Sequence, residues 1–416
     1  MGRRGPVRYL VAGGGVAGTL AAQEIRKGDP AGGIHIVGEE PGPLYNRTLL
    51  SKEFLLGADP GRIVLKDASF YERRGIELEA GTRVLAVDVA RREARLSDGS
   101  LQPFEKLLLA TGAEPVIPPL EGSQAEGVCV LRSLAHAAEI RQRAASADRA
   151  VCVGGGFIGV ETACALVELG LAVDLIFLEP HPWAALLPEP IARLVTTRLV
   201  EGGVRLHPRT ALAGFARERD ALSGVRLAGG ARLPARLAVL GLGARPAAAF
   251  LNGSGIPVAR GVLTGPSLET GVPGVYAAGD VAEVAPADGG PPRLGGHWST
   301  AQSQGRVAGA NLGGRVPPLV HDAVPFFDTR VFDLELAFVG DPRPDRPFVL
   351  HGSLARRRCI AFFVSGERLV GTVHVNHPDG VPAAVDVVGS GRSVDPRALE
   401  EYGLAGPAPA TRGVSS

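Results

Sequence analysis

From Tyr9 the chain runs through four apolar residues, breaks at Gly13, Gly14 and Gly15, and resumes as TLAAQEI from Thr19 to Ile25. An apolar run cut by a glycine turn reads as a buried strand, and the small and apolar residues beyond it read as the start of a helix. The same order recurs at Val151–Val153, the turn from Gly154 and a helix to about Glu168. RYLVAGGGVAGTLAAQEI and RAVCVGGGFIGVETACAL are therefore an internal repeat. Three more apolar runs end in glycine turns: LLLATGA at 107–113, LAVLGLGARP at 237–246 and VYAAGDVAEV at 275–284. Strands that alternate with helices in this way predict an α/β fold. Beyond residue 317 the pattern shifts to strand-like runs, ELAFVG, CIAFFVSG and RLVGTVHVN, and then to a helical pattern from Val381 to Val388. The tail after Tyr402, GLAGPAPATRGVSS, reads as disordered.

Each half of the repeat carries G-x-G-x-x-G, at Gly13, Gly15 and Gly18 and again at Gly154, Gly156 and Gly159. The first glycine permits the tight turn, the second lets backbone approach a pyrophosphate, and the third lets helix pack on strand. Phosphates then meet the free N–H groups of the helix N-terminus, where Ala17 in one copy and Phe157 and Ile158 in the other belong to the same turns. About twenty residues past the last glycine an acid closes a second strand, Glu39 in IHIVGEE and Glu179 in VDLIFLE, which suits a ribose diol. Two such sites imply two dinucleotides, and the usual pair is a retained FAD and an exchangeable nicotinamide nucleotide. Pro180, His181, Pro182 and Trp183 bring no arginine to a 2′-phosphate, so NADH is expected over NADPH.

At 416 residues the chain fits two or three domains. A net charge of +1 gives no field to gather nucleic acid or an anionic membrane. Glu161, Glu168 and Asp174 interrupt the apolar stretch 150–178, so no membrane span is expected there. The amino terminus lacks a signal-peptide pattern, and a cytoplasmic protein is expected. Cys129, Cys152, Cys164 and Cys359 have no paired spacing and read as buried thiols. His181, His297, His374 and His377 have no ligand spacing, and no metal is expected. Lysine is scarce, four against forty arginines, which singles out Lys52 in YNRTLLSK.

GEEPGPLYNRTLLSKEFL, FEKLLLATGAEP, VGGGFIGVETA, GLGARP, GVYAAGDVAEV and HWSTAQSQGRVAGANLGG follow one another across roughly residues 9–314. In these motifs and their order the chain resembles the FAD-dependent ferredoxin reductase family, within the pyridine-nucleotide oxidoreductases of glutathione-reductase-like fold. The resemblance implies two Rossmann-like dinucleotide-binding domains, the NAD domain inserted into the FAD domain, and a C-terminal α+β domain. The expected limits are 1–114 and 249–316 for FAD, 115–248 for NAD and 317–402 for the third domain, with 403–416 as tail. FAD would lie at the first fingerprint and NAD at the second.

The same resemblance sets Lys52 against the flavin, paired with Glu161, where a cation would stabilise negative charge on the ring. An acid of the helix first turn, answering the helix dipole, is the other reading of Glu161. Arg47 would reach the pyrophosphate or adenine side, and Asp280 the ribityl chain. Val84, Ala110, Thr111, Gly112 and Arg132 fall on flavin-contacting positions, although Val84 also reads as core. Gly243 and Gly279 lie in the strand-end turns, and Trp298 would stand beside the ring system. PFFDTRVFD departs from the family's usual aromatic-Trp-Ser-Asp-Gln, with Asp328, Thr329 and Arg330 in its place. Arg356, Arg357 and Arg358 are expected to tip a hairpin; the alternative reading is that they meet an acidic protein.

The implied activity is transfer of electrons from NADH through FAD to a one-electron carrier, a [2Fe–2S] or Rieske ferredoxin, or rubredoxin. An apoptosis-inducing-factor-like effector and a nitrite-reductase-type enzyme with another acceptor remain open, as do monomer and homodimer. Disulfide reduction is disfavoured, because no cysteine occurs up to Gln124.

Overall fold

The structure, a computed structural model, describes residues 2–395. Five parallel strands form the first sheet, in the order Ile76–Ala80, Ile34–Gly38, Val7–Ala12, Leu101–Leu109 and Val275–Ala277. Strands buried on both faces need no alternation, and Ile34–Gly38 is accordingly buried at every position. The long strand Leu101–Leu109 serves two sheets: its first residues pair antiparallel with Glu93–Leu96, which pairs in turn with Val84–Asp88.

Helix Val16–Gly28 follows the first strand and packs on helix Trp298–Leu312. Gly305 and Gly309, one turn apart on the second helix, make this approach close. A Cβ on either would stand 2.4 Å from a backbone oxygen, of Ala17 or of Ala21. The carboxyl-terminal helix of this unit is thereby pressed against the backbone of the first fingerprint helix.

The second copy of the repeat builds a parallel sheet in the order Val204–His207, Ala172–Ile176, Arg149–Val153 and Leu237–Leu240, with Val128–Val130 at the far edge. Helix Phe157–Glu168 leaves the strand Arg149–Val153 and ends at Glu168, where the sequence pattern ends it. A small antiparallel sheet of Leu212–Glu218, Ala221–Leu227 and Arg232–Leu233 lies between the last two parallel strands in the chain.

The carboxyl-terminal strands form one antiparallel sheet, ordered Phe326–Val331, Leu334–Gly340, Arg368–Val375, Arg358–Ser365 and Phe348–Ser353. Helix Val381–Ser390 covers it, burying Val339, Ile360, Phe362 and Leu369 with Ala384 and Val387. The three expected strands and the expected helix are all present. The disordered tail expected at 403–416 lies outside the described residues.

By contact the chain divides into two compact units. One holds the chain up to Pro118, Val130–Gln142 and Leu242–Ala323; the other holds Pro119–Cys129, Arg143–Gly241 and the chain from Val324. No helix among the described residues is long and apolar enough to cross a membrane.

Candidate functional site

In the first unit, Gly13 turns the chain with φ +121°, and a Cβ there would meet the Ala110 carbonyl oxygen at 2.2 Å. Gly18 sits over the same turn, its Cβ direction blocked by the Gly13 oxygen at 2.0 Å. Around Gly15, by contrast, the space is open. The helix that starts there has no side-chain cap and no acid in its first turn. An uncapped N-terminus with open space before it fits the pyrophosphate of a dinucleotide, which supplies the missing acceptors and the negative charge the helix dipole favours.

The strand ends around this turn hold most of the other expected residues. Ala110 is buried, the Thr111 hydroxyl donates to the Ala247 carbonyl at 2.8 Å, and Gly112 takes φ +74° beside Arg132. Arg132 pairs with Asp280 at 2.8 Å, so two residues 148 positions apart meet at this site. Gly279 is positioned by the buried Gln304, whose side-chain oxygen accepts from the Gly279 N–H at 2.8 Å. Gly243 has φ +90°, and its carbonyl accepts from Val116. His297 precedes Trp298 at the start of its helix, and burial holds its pKa below the ordinary value against the opposing charge of Asp280. Trp298 is partly buried against the unit's core.

Arg47 is fixed from three sides. Its guanidinium pairs with Glu40, donates to the Arg132 carbonyl at 2.7 Å and lies over the Tyr45 ring at 5.3 Å. Tyr45 itself donates to Glu40. Glu39 is exposed just past its strand, 3.5 Å from Arg83. Lys52 lies half-buried in a wide π-type turn, Leu50–Phe54, a backbone form often found at functional sites. Val84 is buried in the main core, consistent with the packing reading.

The second fingerprint repeats the cradle. Gly154 has φ +113° with its Cβ direction closed by the Gly241 oxygen at 2.3 Å, Gly159 packs on the Gly154 oxygen, and Gly156 is open. Its helix also starts without a side-chain cap or a first-turn acid. Exposed Glu179 reaches this loop, its Oε2 3.4 Å from the Cβ position of Gly155.

Glu161 corrects one expectation. It stands beyond the first turn of its helix, so it does not answer the dipole. It is instead buried, at 7% exposure, and accepts a hydrogen bond from the Thr329 hydroxyl at 2.6 Å. The arginine run corrects another. Arg356 and Arg357 do tip the hairpin, but Arg357 pairs with Glu201 and Asp333, and Arg358 donates to the Asn376 carbonyl. Among the described residues the Arg356 side chain alone of the three has no such partner, so the run is not one basic patch.

Sequence reasoning missed two further neighbours of the second cradle. The backbone N–H of Arg209 donates to the Glu179 carbonyl, bringing an exposed arginine beside the acid from a turn thirty residues away. Trp183 donates its backbone N–H to Gly155, takes φ +53° and stacks on Phe157 at 5.4 Å. Phe327 meets Phe157 edge-on at 5.1 Å, while Phe338 stacks on Phe327 at 4.8 Å. The one available signal was Trp183 itself, one of two tryptophans, four residues past Glu179.

The four cysteines are buried thiols outside any disulfide, and burial pushes Cys164 up to about 12 and Cys359 up to about 11. Thiols so hard to ionise are poor nucleophiles. Among the described residues no cluster could hold a metal.

Comparison with known proteins extends this picture. Monodehydroascorbate reductase 4 of Arabidopsis thaliana is 35% identical over 81% of this chain and 73% of its own. Apoptosis-inducing factor 3 of Mus musculus is 29% identical over 97% of this chain, which spans only 66% of that protein. A ferredoxin reductase of the CYP199A2 system from Rhodopseudomonas palustris superposes with a TM-score of 0.90 at 29% identity, covering 95% of this chain and 98% of that one. Residues 327–404 match the reductase C-terminal family. Residues 7–305, the span in which both cradles lie, match the pyridine nucleotide-disulphide oxidoreductase family, and to that family the chain belongs.

Proposed function

We propose that the chain is an NADH-dependent reductase that passes electrons one at a time to an iron–sulfur protein, a [2Fe–2S] or Rieske ferredoxin. The observation that carries this reading is the repetition of one cradle, uncapped and open, at two helix N-termini. FAD and NAD(H) are the cofactors of the family. FAD supplies the conversion between a two-electron donor and one-electron acceptors.

The residues divide the remaining work. Gly13, Gly15, Ala17 and Gly18 would take the FAD pyrophosphate, with Glu39 at its ribose and Arg47 held ready by Glu40. Asp280, oriented by Arg132, would accept from the ribityl chain, and Ala110, Thr111, Gly112, Gly279 and Trp298 would line the ring. Gly154, Gly156, Phe157, Ile158, Gly159 and Gly243 would receive NADH, with Glu179 at its ribose diol. Lys52 would place a cation against the flavin, and Glu161 would orient it. The proposed domain limits are 1–114 with 249–316, 115–248 and 317–402. Four buried thiols outside any disulfide suit a reducing compartment, and the cytoplasm is the proposed location.

No thiol lies in the chain up to Gln124 to relay a pair of electrons, which favours one-electron acceptors. The test is NADH-driven reduction of a panel of [2Fe–2S], Rieske and rubredoxin proteins, with cytochrome c as final acceptor. Rapid turnover with one of them supports the reading. The relative of 35% identity is named for monodehydroascorbate, which therefore joins the panel as a second acceptor class. Turnover with it alone would replace the iron–sulfur protein by a small molecule. Slow reduction of every acceptor would favour an effector of the apoptosis-inducing-factor kind.

A further inference from the structure

Trp183 stands four residues past Glu179, and the loop between them closes on the second glycine turn from two sides. Oε2 of Glu179 and the Phe177 side chain crowd the Cβ position of Gly155, at 3.4 and 3.3 Å, while the Trp183 backbone N–H donates to the Gly155 carbonyl at 2.9 Å. Pro180 and Pro182 restrict the backbone of the loop, so little entropy is lost in holding it there. The Trp183 carbonyl is engaged as well, accepting from the N–H groups of Leu186 and Leu187 at 2.8 and 3.0 Å. All of these residues belong to one compact unit.

The tryptophan is held there at a cost. Its backbone takes φ +53°, a region that bulky side chains rarely adopt, and its indole Nε1–H is buried with no acceptor among the described residues. An aliphatic side chain would fill the space with no donor to satisfy. What the indole gains is ring contact: it stacks on Phe157 at 5.4 Å with the planes 28° apart, and Phe338 closes edge-on against both rings, at 6.3 and 5.9 Å. These separations lie where aromatic pairs attract. Phe157 is the first residue of helix Phe157–Glu168, which has no side-chain cap. Its ring therefore fixes the first turn, whose N–H groups have no partner within the helix.

We propose that Trp183 is a positioning residue for the nucleotide: its backbone holds the glycine turn and its ring holds Phe157, so that the N–H groups of the first helical turn are aimed before NADH arrives. Preorganisation of this kind lowers the ordering cost of binding, and it acts on affinity rather than on the hydride step. The inference rests on the proposed reading of the second cradle as the NADH site. It gives a role to an aromatic residue that neither the glycine fingerprint nor the ribose acid requires.

The experiment uses the full-length, FAD-loaded protein and follows flavin bleaching over a range of NADH concentrations, which yields a Kd and a limiting rate. Trp183→Gly keeps the left-handed backbone and its N–H donor without strain and removes only the ring. It is expected to raise Kd about tenfold, the upper range for one aromatic pair, and to leave the limiting rate within about twofold. Trp183→Phe keeps a ring, lacks the indole donor and is expected to hold Kd within about threefold of wild type. Phe157→Ala should also raise Kd, and Trp183→Gly should add little in that background, because the two rings act as a pair. If Trp183→Gly does not fold, Trp183→Leu takes its place with the same expectation. A wild-type Kd without the ring would overturn the inference, and so would a lower limiting rate at unchanged Kd or full additivity with Phe157→Ala. Trp183→Phe as impaired as Trp183→Gly would overturn it too, because the indole N–H and not the stack would then matter. Gly156→Asp tests the underlying reading separately: it sets a negative charge in the open space before the helix and should abolish saturation by NADH. An unchanged Kd in that variant would overturn the second cradle as the NADH site, and the inference with it.

Discussion

Lys52 is a single cation in a π-type turn, and its proposed role makes a sharp demand on one substitution. Lys52→Met keeps the length and apolar stem of the side chain but removes the charge. FAD should remain bound, because the cradle at Gly13–Gly18 and the Arg132–Asp280 pair are untouched. Flavin reduction by NADH should slow by about 10²-fold, the usual loss when one preorganised charge or donor is removed from a reacting centre. Stopped-flow absorbance checks this, and a wild-type rate would reduce the lysine to a structural role. Nucleotide choice is a second matter of single residues. Glu179 at the loop should accept from both ribose hydroxyls and repel a 2′-phosphate, so Glu179→Ala should raise the KM for NADH by about 10- to 100-fold. Arg209 beside it would then be the group that receives NADPH. Kinetics of both nucleotides with Glu179→Ala and Glu179→Ala/Arg209→Ala separate the two effects; an unchanged preference for NADH in the first would show that another residue reads the ribose.

At the scale of elements, strands Ala172–Ile176 and Val204–His207 are tied by a buried charge as well as by their backbone ladder. Burial opposes ionisation of Asp174, but two hydrogen bonds from Arg205 and one from His207 outweigh it and hold the carboxyl below its usual range. A folded-state pKa that is depressed gives stability that is complete above the unfolded value of about 3.9 and is lost as pH falls through the lower folded value. Asp174→Asn should therefore cost about 1–2 kcal/mol at pH 7, the half-exposed Arg205 being screened by solvent. The cost should vanish on acidification through the low-pH range where wild-type Asp174 is itself protonated. Denaturant unfolding at the two ends of that range measures it, and a cost independent of pH would mean that packing rather than charge holds the strands.

The same scale shows why some elements were legible in the sequence and others were not. The glycine turns at Gly13 and Gly154 and the helix end at Glu168 are set by neighbours within a few residues, and the chain folds there as its pattern reads. Thr329 with Glu161, Arg209 with Glu179 and Arg357 with Glu201 are joined only by the tertiary fold, across sequence gaps that no local pattern spans. Glu161 looked like a first-turn acid because a shift of one helical turn cannot be seen without the cap.

For the whole molecule, docking of a carrier must work with little net charge to steer it. Arg357 and Arg358 are engaged within their own unit, which leaves Arg330 and Arg356 as the arginines for an acidic ferredoxin. If the carrier is acidic, association should weaken as salt shortens the Debye length from about 30 Å at 0.01 M to about 10 Å at 0.1 M. Arg356→Ala should flatten that dependence, and Arg357→Ala should change it less. Carrier reduction that ignores salt would keep the reaction but remove these arginines from the docking surface. The central claim, that two dinucleotide sites in this chain exchange a hydride, is tested most directly by anaerobic stopped-flow mixing of the FAD-loaded protein with NADH, followed near 450 nm. The account predicts rapid bleaching of the flavin with NADH, slower bleaching with NADPH and recovery of absorbance on adding the oxidised carrier; a flavin that stays oxidised in excess NADH would contradict it.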